Sequence, residues 1–170
     1  AEEGTRAHKL AEERLRGNLP DHNPEDYVND PVGLEISVNV QKYVDYVRMI
    51  HEFEGGRLLI EATVPIGQIT GTATDTGTAD AIIITDRKLI VIDFKYGKGV
   101  RVSAKKNEQM LMYAAGKFDT LMEEEGLKVE EIVLTICQPR VFEEPSVWAI
   151  PSYLFIEYVE KIQQAALRVK

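Results

Sequence analysis

A mixed α/β fold, with one central sheet and helices on both faces, is what this sequence predicts, and three observations lead to it. Residues 78–85 and 88–95 are apolar runs rich in isoleucine and valine, separated by Asp86-Arg87, and read as a β-hairpin whose strands are buried on both faces. An alternating run at residues 57–66 precedes them and completes a three-strand meander. A helical segment over residues 108–124 then separates the hairpin from another apolar strand, residues 131–137. A helical crossover of this kind makes the fourth strand parallel to the third, with a right-handed connection.

The remaining elements are read around that sheet. Residues 2–16 are rich in Ala, Glu, Leu and Arg without proline, which favours a helix; Ala7, Leu10, Ala11 and Leu15 give it a weak apolar stripe. Gly17, Pro20, Pro24, Pro31 and Gly33 mark residues 17–33 as a polar loop. Ile36, Val40, Tyr43, Val47 and Ile50 recur at helical spacing across residues 35–54, and Gly55-Gly56 ends that helix. The small, polar stretch from Gly67 to Gly77 reads as a turn or long hairpin loop. Tyr96-Gly97-Lys98-Gly99 is an exposed turn, Asn107 is the expected N-cap of the crossover helix, and Gly126 ends it. Pro145 to Ile150 reads as a short peripheral strand with Trp148 as a core anchor. Pro151-Ser152 opens a last amphipathic helix with Leu154, Tyr158, Ile162 and Ala165 on one stripe. The chain is read as one domain over residues 1–170, without repeats.

Composition narrows the functional classes. Cys137 is the single cysteine, which excludes an internal disulfide framework and a cysteine-built zinc or iron–sulfur site, and fits a reducing, cytoplasmic setting. No stretch approaches the apolar length of a membrane-spanning helix, and nothing resembles a signal peptide. The first residue is Ala1 rather than methionine, so a truncated N-terminus is expected. The formal net charge of -8 argues against a generally adhesive nucleic-acid binder. The charge is uneven, however. Arg87, Lys88, Lys95, Lys98, Arg101, Lys105 and Lys106 stand against Asp93 alone, a local +6 that leaves −14 for the rest of the chain. A basic patch beside carboxylates on an acidic body suits a polyanion held at a metal site, although such a run is also what a solvated loop and helix start would show.

The chemistry concentrates in the apolar hairpin. Asp93 and Lys95 are two apart and share a strand face, with Phe94 on the other. Buried carboxylates are costly unless paired or bound to metal. An Asp–Lys pair at an exposed strand end would account for these two residues. Two aspartates, Asp80 and Asp93, converging from adjacent strands would instead make a site for a hard cation such as Mg²⁺ or Mn²⁺. Glu61 reads either as a polar-face residue or as a carboxylate at the edge of that site. Gln109 and Tyr113, at i and i+4, project from one helix face. His8 on the first helix, His22 in the loop and His51 near a helix C-terminus carry no signal by themselves.

Taken together and in order, these residues resemble the PD-(D/E)XK nucleases, specifically the RecB-like branch that includes phage exonucleases. Gly4-Thr5-Arg6-Ala7-His8 resembles its GxxxH motif and Gly77-Thr78-Ala79-Asp80 its GxxD motif. Asp93-Phe94-Lys95 matches the DxK signature, and Gln109 to Tyr113 the QxxxY motif. Within the branch, the chain is similar to an uncharacterised phage-associated family. The resemblance implies a restriction-endonuclease-like core: a three-strand meander, a crossover helix and a parallel fourth strand. It implies that His8, Asp80, Asp93 and the backbone carbonyl of Phe94 hold one or two divalent ions, Mg²⁺ or Mn²⁺. It assigns Lys95 to the attacking water or the charged transition state, and Gln109 and Tyr113 to positioning. Lys98, Arg101, Lys105 and Lys106 would grip DNA by its phosphates. The implied activity is an exonuclease in phage or prophage recombination or repair, in the bacterial cytoplasm, with DNA and a phage recombination protein as partners. The competing expectation is an inactive DNA-binding or interaction module of a recombination complex.

Overall fold

The structure, a computed structural model, describes residues 2–169. The first helix, α1, spans Glu2–Leu15, and the second, α2, Pro31–Glu54. Strand β1 (Arg57–Pro65) leads through a one-turn helix α3 (Gly67–Thr70) to β2 (Thr76–Ile84) and β3 (Lys88–Phe94). Helix α4 (Glu108–Glu125) crosses over to β4 (Glu131–Cys137), followed by β5 (Ser146–Pro151) and α5 (Ser152–Val169). The five strands lie in chain order across one sheet. Neighbours are antiparallel except β3 and β4, which run parallel in the register Lys88↔Glu131 to Phe94↔Cys137. The mixed α/β architecture and the parallel fourth strand are therefore as expected.

Strand alternation divides the core into two layers. Ile82, Ile84, Leu89 and Val91 face α4 and α5, where Met110, Leu111, Leu121 and Phe155 cover them. Ala81, Ile83, Ile90, Ile92 and Phe94 face the other way, against Ala7 and Ala11 of α1 and Val40, Tyr43 and Val47 of α2. Both faces of β3 are buried, which explains why its sequence reads as a continuous apolar run rather than an alternating one.

Some boundaries differ from the sequence reading. Helix α2 begins four residues earlier than expected, at Pro31: the Asp30 carboxylate accepts the Gly33 amide at 3.0 Å, and proline is at home in a first helical turn. The long loop before it contains a 3₁₀ turn at Pro24–Tyr27, capped by Asn23. The stretch expected to be all turn holds α3, and β2 starts at Thr76. Trp148 is only half-buried and packs edge-on against Tyr158, 5.1 Å between centroids. Phe155, not Ala165, is the buried residue of α5; Ala165 is exposed.

Arg14 is the largest surprise in the core. Its side chain is 1% exposed and has no carboxylate partner. Its guanidinium donates instead to the carbonyls of Pro20 (3.0 Å) and Ser37 (2.9 Å) and to the Ser37 hydroxyl (2.6 Å). These bonds tie α1, the loop and α2 into one unit, and so fix where α1 presents His8.

Candidate functional site

The site residues lie at the open end of the β2–β3 hairpin. The register Ala81↔Ile92, continued by one step, sets Asp80 across from Asp93. One carboxylate oxygen of Asp80 accepts the Phe94 amide at 2.7 Å. Asp93 is 5% exposed; its Oδ2 lies 3.0 Å from Lys95 Nζ but has no well-formed hydrogen bond. Lys95 Nζ donates to Gln109 Oε1 at 2.9 Å, and Gln109 Nε2 donates onward to the Tyr113 hydroxyl at 3.0 Å. The i, i+4 spacing on α4 thus becomes a relay that ends on Lys95. Gly77, two residues into β2, exists for this relay: a Cβ there would stand 2.4 Å from the Tyr113 ring.

Helix α1 brings His8 to the same point from the opposite face. Its Nε2 is 2.7 Å from the Phe94 carbonyl and 3.6 Å from Asp80 Oδ2, while Nδ1 is 2.8 Å from the Gly4 carbonyl. Both ring nitrogens therefore face carbonyl oxygens, which can only accept, so both nitrogens carry protons. The Asp80 carboxylate, more than any other group, holds this imidazolium together and raises its pKa to about 9. Asp93 moves the same way for a different reason. Burial, then the neighbouring Asp80 charge, pushes its carboxyl up to about 7 despite the nearby Lys95 ammonium. Behind them Tyr43 stacks on Phe94, 4.8 Å between centroids, its buried hydroxyl without a partner.

The donor set suits a hard cation. It offers carboxylate oxygens, a backbone carbonyl and an imidazole nitrogen, and the buried Asp93 Oδ2 makes no well-formed hydrogen bond although it lies beside Lys95. The His8 imidazolium already acts as the counter-charge between Asp80 and the Phe94 carbonyl. As they stand, no three His, Cys, Asp or Glu side chains among the described residues form an ion cage. To serve as a metal ligand, His8 would first have to give up its Nε2 proton.

Glu61 belongs to these surroundings. It lies between the ladder pairs Ile60↔Ala81 and Ala62↔Ala79, level with Asp80, but adopts the left-handed conformation, φ 51°. It lines a tight cavity with His8, Glu12, Tyr43 and Asp80, and burial, Asp80 and Glu12 raise its pKa. The anticipated DNA-gripping residues are all exposed. Arg101 lies over the Phe142 ring at 4.4 Å, and Lys106 over Tyr158 at 5.9 Å. Lys98 and Lys105 are free of such contacts among those described. Gln138, which no sequence signal singled out, braces this loop. Its amide donates to the carbonyls of Gly97 (3.2 Å) and Val100 (3.0 Å) and accepts from Val102 N (3.0 Å).

A family model described as "Protein of unknown function (DUF2800)" matches residues 1–169, and the chain belongs to that family. Among solved structures, the chain is similar to one titled "Crystal structure of SSO0001", with 14% identity and a TM-score of 0.36 over 95% of this chain and 85% of that one. No helix among the described residues is long and apolar enough to cross a membrane.

Proposed function

We propose that this protein is a divalent-metal-dependent deoxyribonuclease of the PD-(D/E)XK type, acting as an exonuclease in phage or prophage DNA recombination or repair. One observation supports the reading above all: an ammonium group, Lys95, is fixed between Asp93 (3.0 Å) and Gln109 (2.9 Å) at the point where Asp80, His8 and the Phe94 carbonyl converge. A structural ion pair would not need the other three.

Bound by His8, Asp80, Asp93 and the Phe94 carbonyl, a Mg²⁺ or Mn²⁺ ion would supply Lewis acidity and a water of lowered pKa. The chain's own residues do the rest. Lys95 offsets the negative charge that grows on the phosphate as the water oxygen bonds to phosphorus and the bond to the leaving sugar oxygen breaks. Gln109 accepts from Lys95 and is itself held by Tyr113, so the ammonium points one way without searching. Lys98, Arg101, Lys105 and Lys106 contact backbone phosphates, which positions a strand without reading its bases.

The test is incubation of the pure protein with linear single- and double-stranded DNA in Mg²⁺, in Mn²⁺ and in EDTA. Cleavage that requires metal is expected. Cleavage that persists in EDTA contradicts the reading, and binding without cleavage in either metal replaces it with a DNA-binding module.

A further inference from the structure

We infer that Gly4, Gly97 and Gly99, by lacking side chains, keep open a lane that admits the sugar–phosphate backbone of a DNA strand to Lys95; this rests on the nuclease reading above. The three glycines line one cleft of about 370 Å³, together with His8, Lys95 and Gln138 and a wall of Phe94, Tyr96, Val100 and Val102. Glycine is ordinarily required for a left-handed backbone, for tight packing or for flexibility. None of these applies here.

Gly4, Gly97 and Gly99 are not among the glycines with positive φ. A Cβ added at any of them would meet nothing within 4 Å. The loop that carries Gly97 and Gly99 is pinned at both ends by the buried Gln138 amide. Gly4 lies inside α1, where glycine is the poorest choice after proline. Gly77 and Gly116 show what a structurally required glycine looks like: their Cβ atoms would stand 2.4 Å from Tyr113 and 2.1 Å from the Pro65 carbonyl. What remains for the other three is the close approach of something outside the chain.

Independent features say what that is. The cleft ends at Lys95, whose neighbour Asp93 is 5% exposed and keeps an oxygen without a hydrogen bond. Lys98 stands exposed between Gly97 and Gly99, with Arg101 two residues further on. A cleft that glycines keep open, with an ammonium in its lining and further cations on the loop that forms it, fits a chain of phosphodiesters. The volume is that of a small-ligand site and accommodates little more than a nucleotide at a time.

Alanine and leucine at each position test the lane. Because each Cβ points into open space, melting temperatures should equal or, for Gly4→Ala, exceed wild type, and the Mn²⁺-induced shift should be unchanged. Hydrolysis of an oligonucleotide in Mn²⁺ should fall with side-chain size, reaching about 10²-fold for Gly97→Leu or Gly99→Leu, the scale of an ångström-sized misplacement. Leucine variants that cut at the wild-type rate overturn the lane and leave the nuclease reading intact. Variants that lose the Mn²⁺ shift or melt early show that the glycines are structural, which also overturns it. A wild-type protein that cuts no DNA in Mn²⁺ removes both readings.

Discussion

The two ends of the β2–β3 hairpin are both rich in charge and dispose of it in opposite ways. At the turn, the Thr85 hydroxyl accepts the amides of Arg87 (3.1 Å) and Lys88 (2.8 Å). Lys88 reaches Glu54 at 3.0 Å and Glu131 at 3.8 Å, and Arg87 pairs with Glu130 at 3.1 Å. Both basic residues there face carboxylates. At the open end, Asp80 and Asp93 face each other with Glu61 nearby, and among the described residues the two aspartates pair with His8 and Lys95. Like charges are packed where burial makes them most costly. The turn end is arranged for folding, whereas the open end holds carboxylates close together, a repulsion that the proposed cation would offset.

The largest expected effect breaks that asymmetry at Lys95, the proposed catalytic cation. Lys95→Ala should lower the rate of DNA hydrolysis by at least about 10²-fold, the scale of removing one preorganised electrostatic group. It should leave the Mn²⁺-induced rise in melting temperature in place, since Lys95 is not a ligand. A near wild-type rate would return Lys95 to a structural pair with Asp93.

Next comes the grip on DNA. Neutral substitutions at Arg101, Lys105 and Lys106 should weaken binding equally for all sequences and flatten its salt dependence by about 0.7–0.9 unit per lost phosphate contact. An unchanged salt slope in the triple variant would move the binding face away from residues 98–106.

Much of this was legible in the sequence because short-range pattern carried it. The isoleucine-valine runs are forced by strands buried on both faces, and the spacing of Asp93 and Lys95 fixes a shared face wherever the strand lies. The i, i+4 pair Gln109 and Tyr113 needs only a helix. Other features depend on what comes near from far along the chain, and no local pattern signals them. Arg14 reads as a surface residue of an amphipathic helix, yet carbonyls of Pro20 and Ser37 make its burial possible. Gln138 follows an apolar strand and reads as its polar end, while its amide holds a loop some 40 residues earlier. Glu61 fits the alternation of β1, but its left-handed backbone is visible only in the structure. The basic run predicted the charge of residues 98–106 but not the rings that Arg101 and Lys106 lean on, which come from the approach to β5 and from α5, far along the chain.

A metal-binding melt sharpens the open end. At tenfold excess over its dissociation constant an ion adds roughly 1.4 kcal/mol, or about 3–6 °C for a domain of this size. Asp93→Asn should abolish activity and most of that shift. In EDTA at about pH 8 it should melt at or above wild type, because burial and Asp80 disfavour the Asp93 charge more than Lys95 favours it. The pH dependence follows from the same groups. Both His8 and Asp93 have folded pKa values above their unfolded ones, about 9 and about 7. Each therefore contributes stability that is present at low pH and lost as pH rises through the folded value. Metal-free protein should lose the Asp93 contribution between about pH 4 and 7 and the His8 contribution between about pH 6.5 and 9, and Mn²⁺ affinity should rise over the upper interval as His8 sheds its proton. Metal-free stability that climbs across that window would exclude the protonated His8–Asp80 pair.

The smallest effect belongs to the turn end and completes the comparison. Lys88 is partly buried, with side-chain exposure of 29%, between Glu54 at 20% and Glu131 at 42%. Lys88→Met keeps the stem that packs against the sheet and removes the charge, leaving the two glutamates without their shared partner. Partly exposed pairs of this kind contribute about 1 kcal/mol or less, so the melting temperature should fall by no more than about 2–4 °C. The fall should be the same in EDTA and in Mn²⁺, and DNA hydrolysis should not change. Loss of a charge thus destabilises the turn end, whereas loss of the Asp93 charge leaves the metal-free open end as stable or more so. Melts of Lys88→Met and Asp93→Asn side by side in EDTA decide the matter. Two falls of similar size would mean that the ends of the hairpin are built alike, and that Asp93 serves only to hold Lys95.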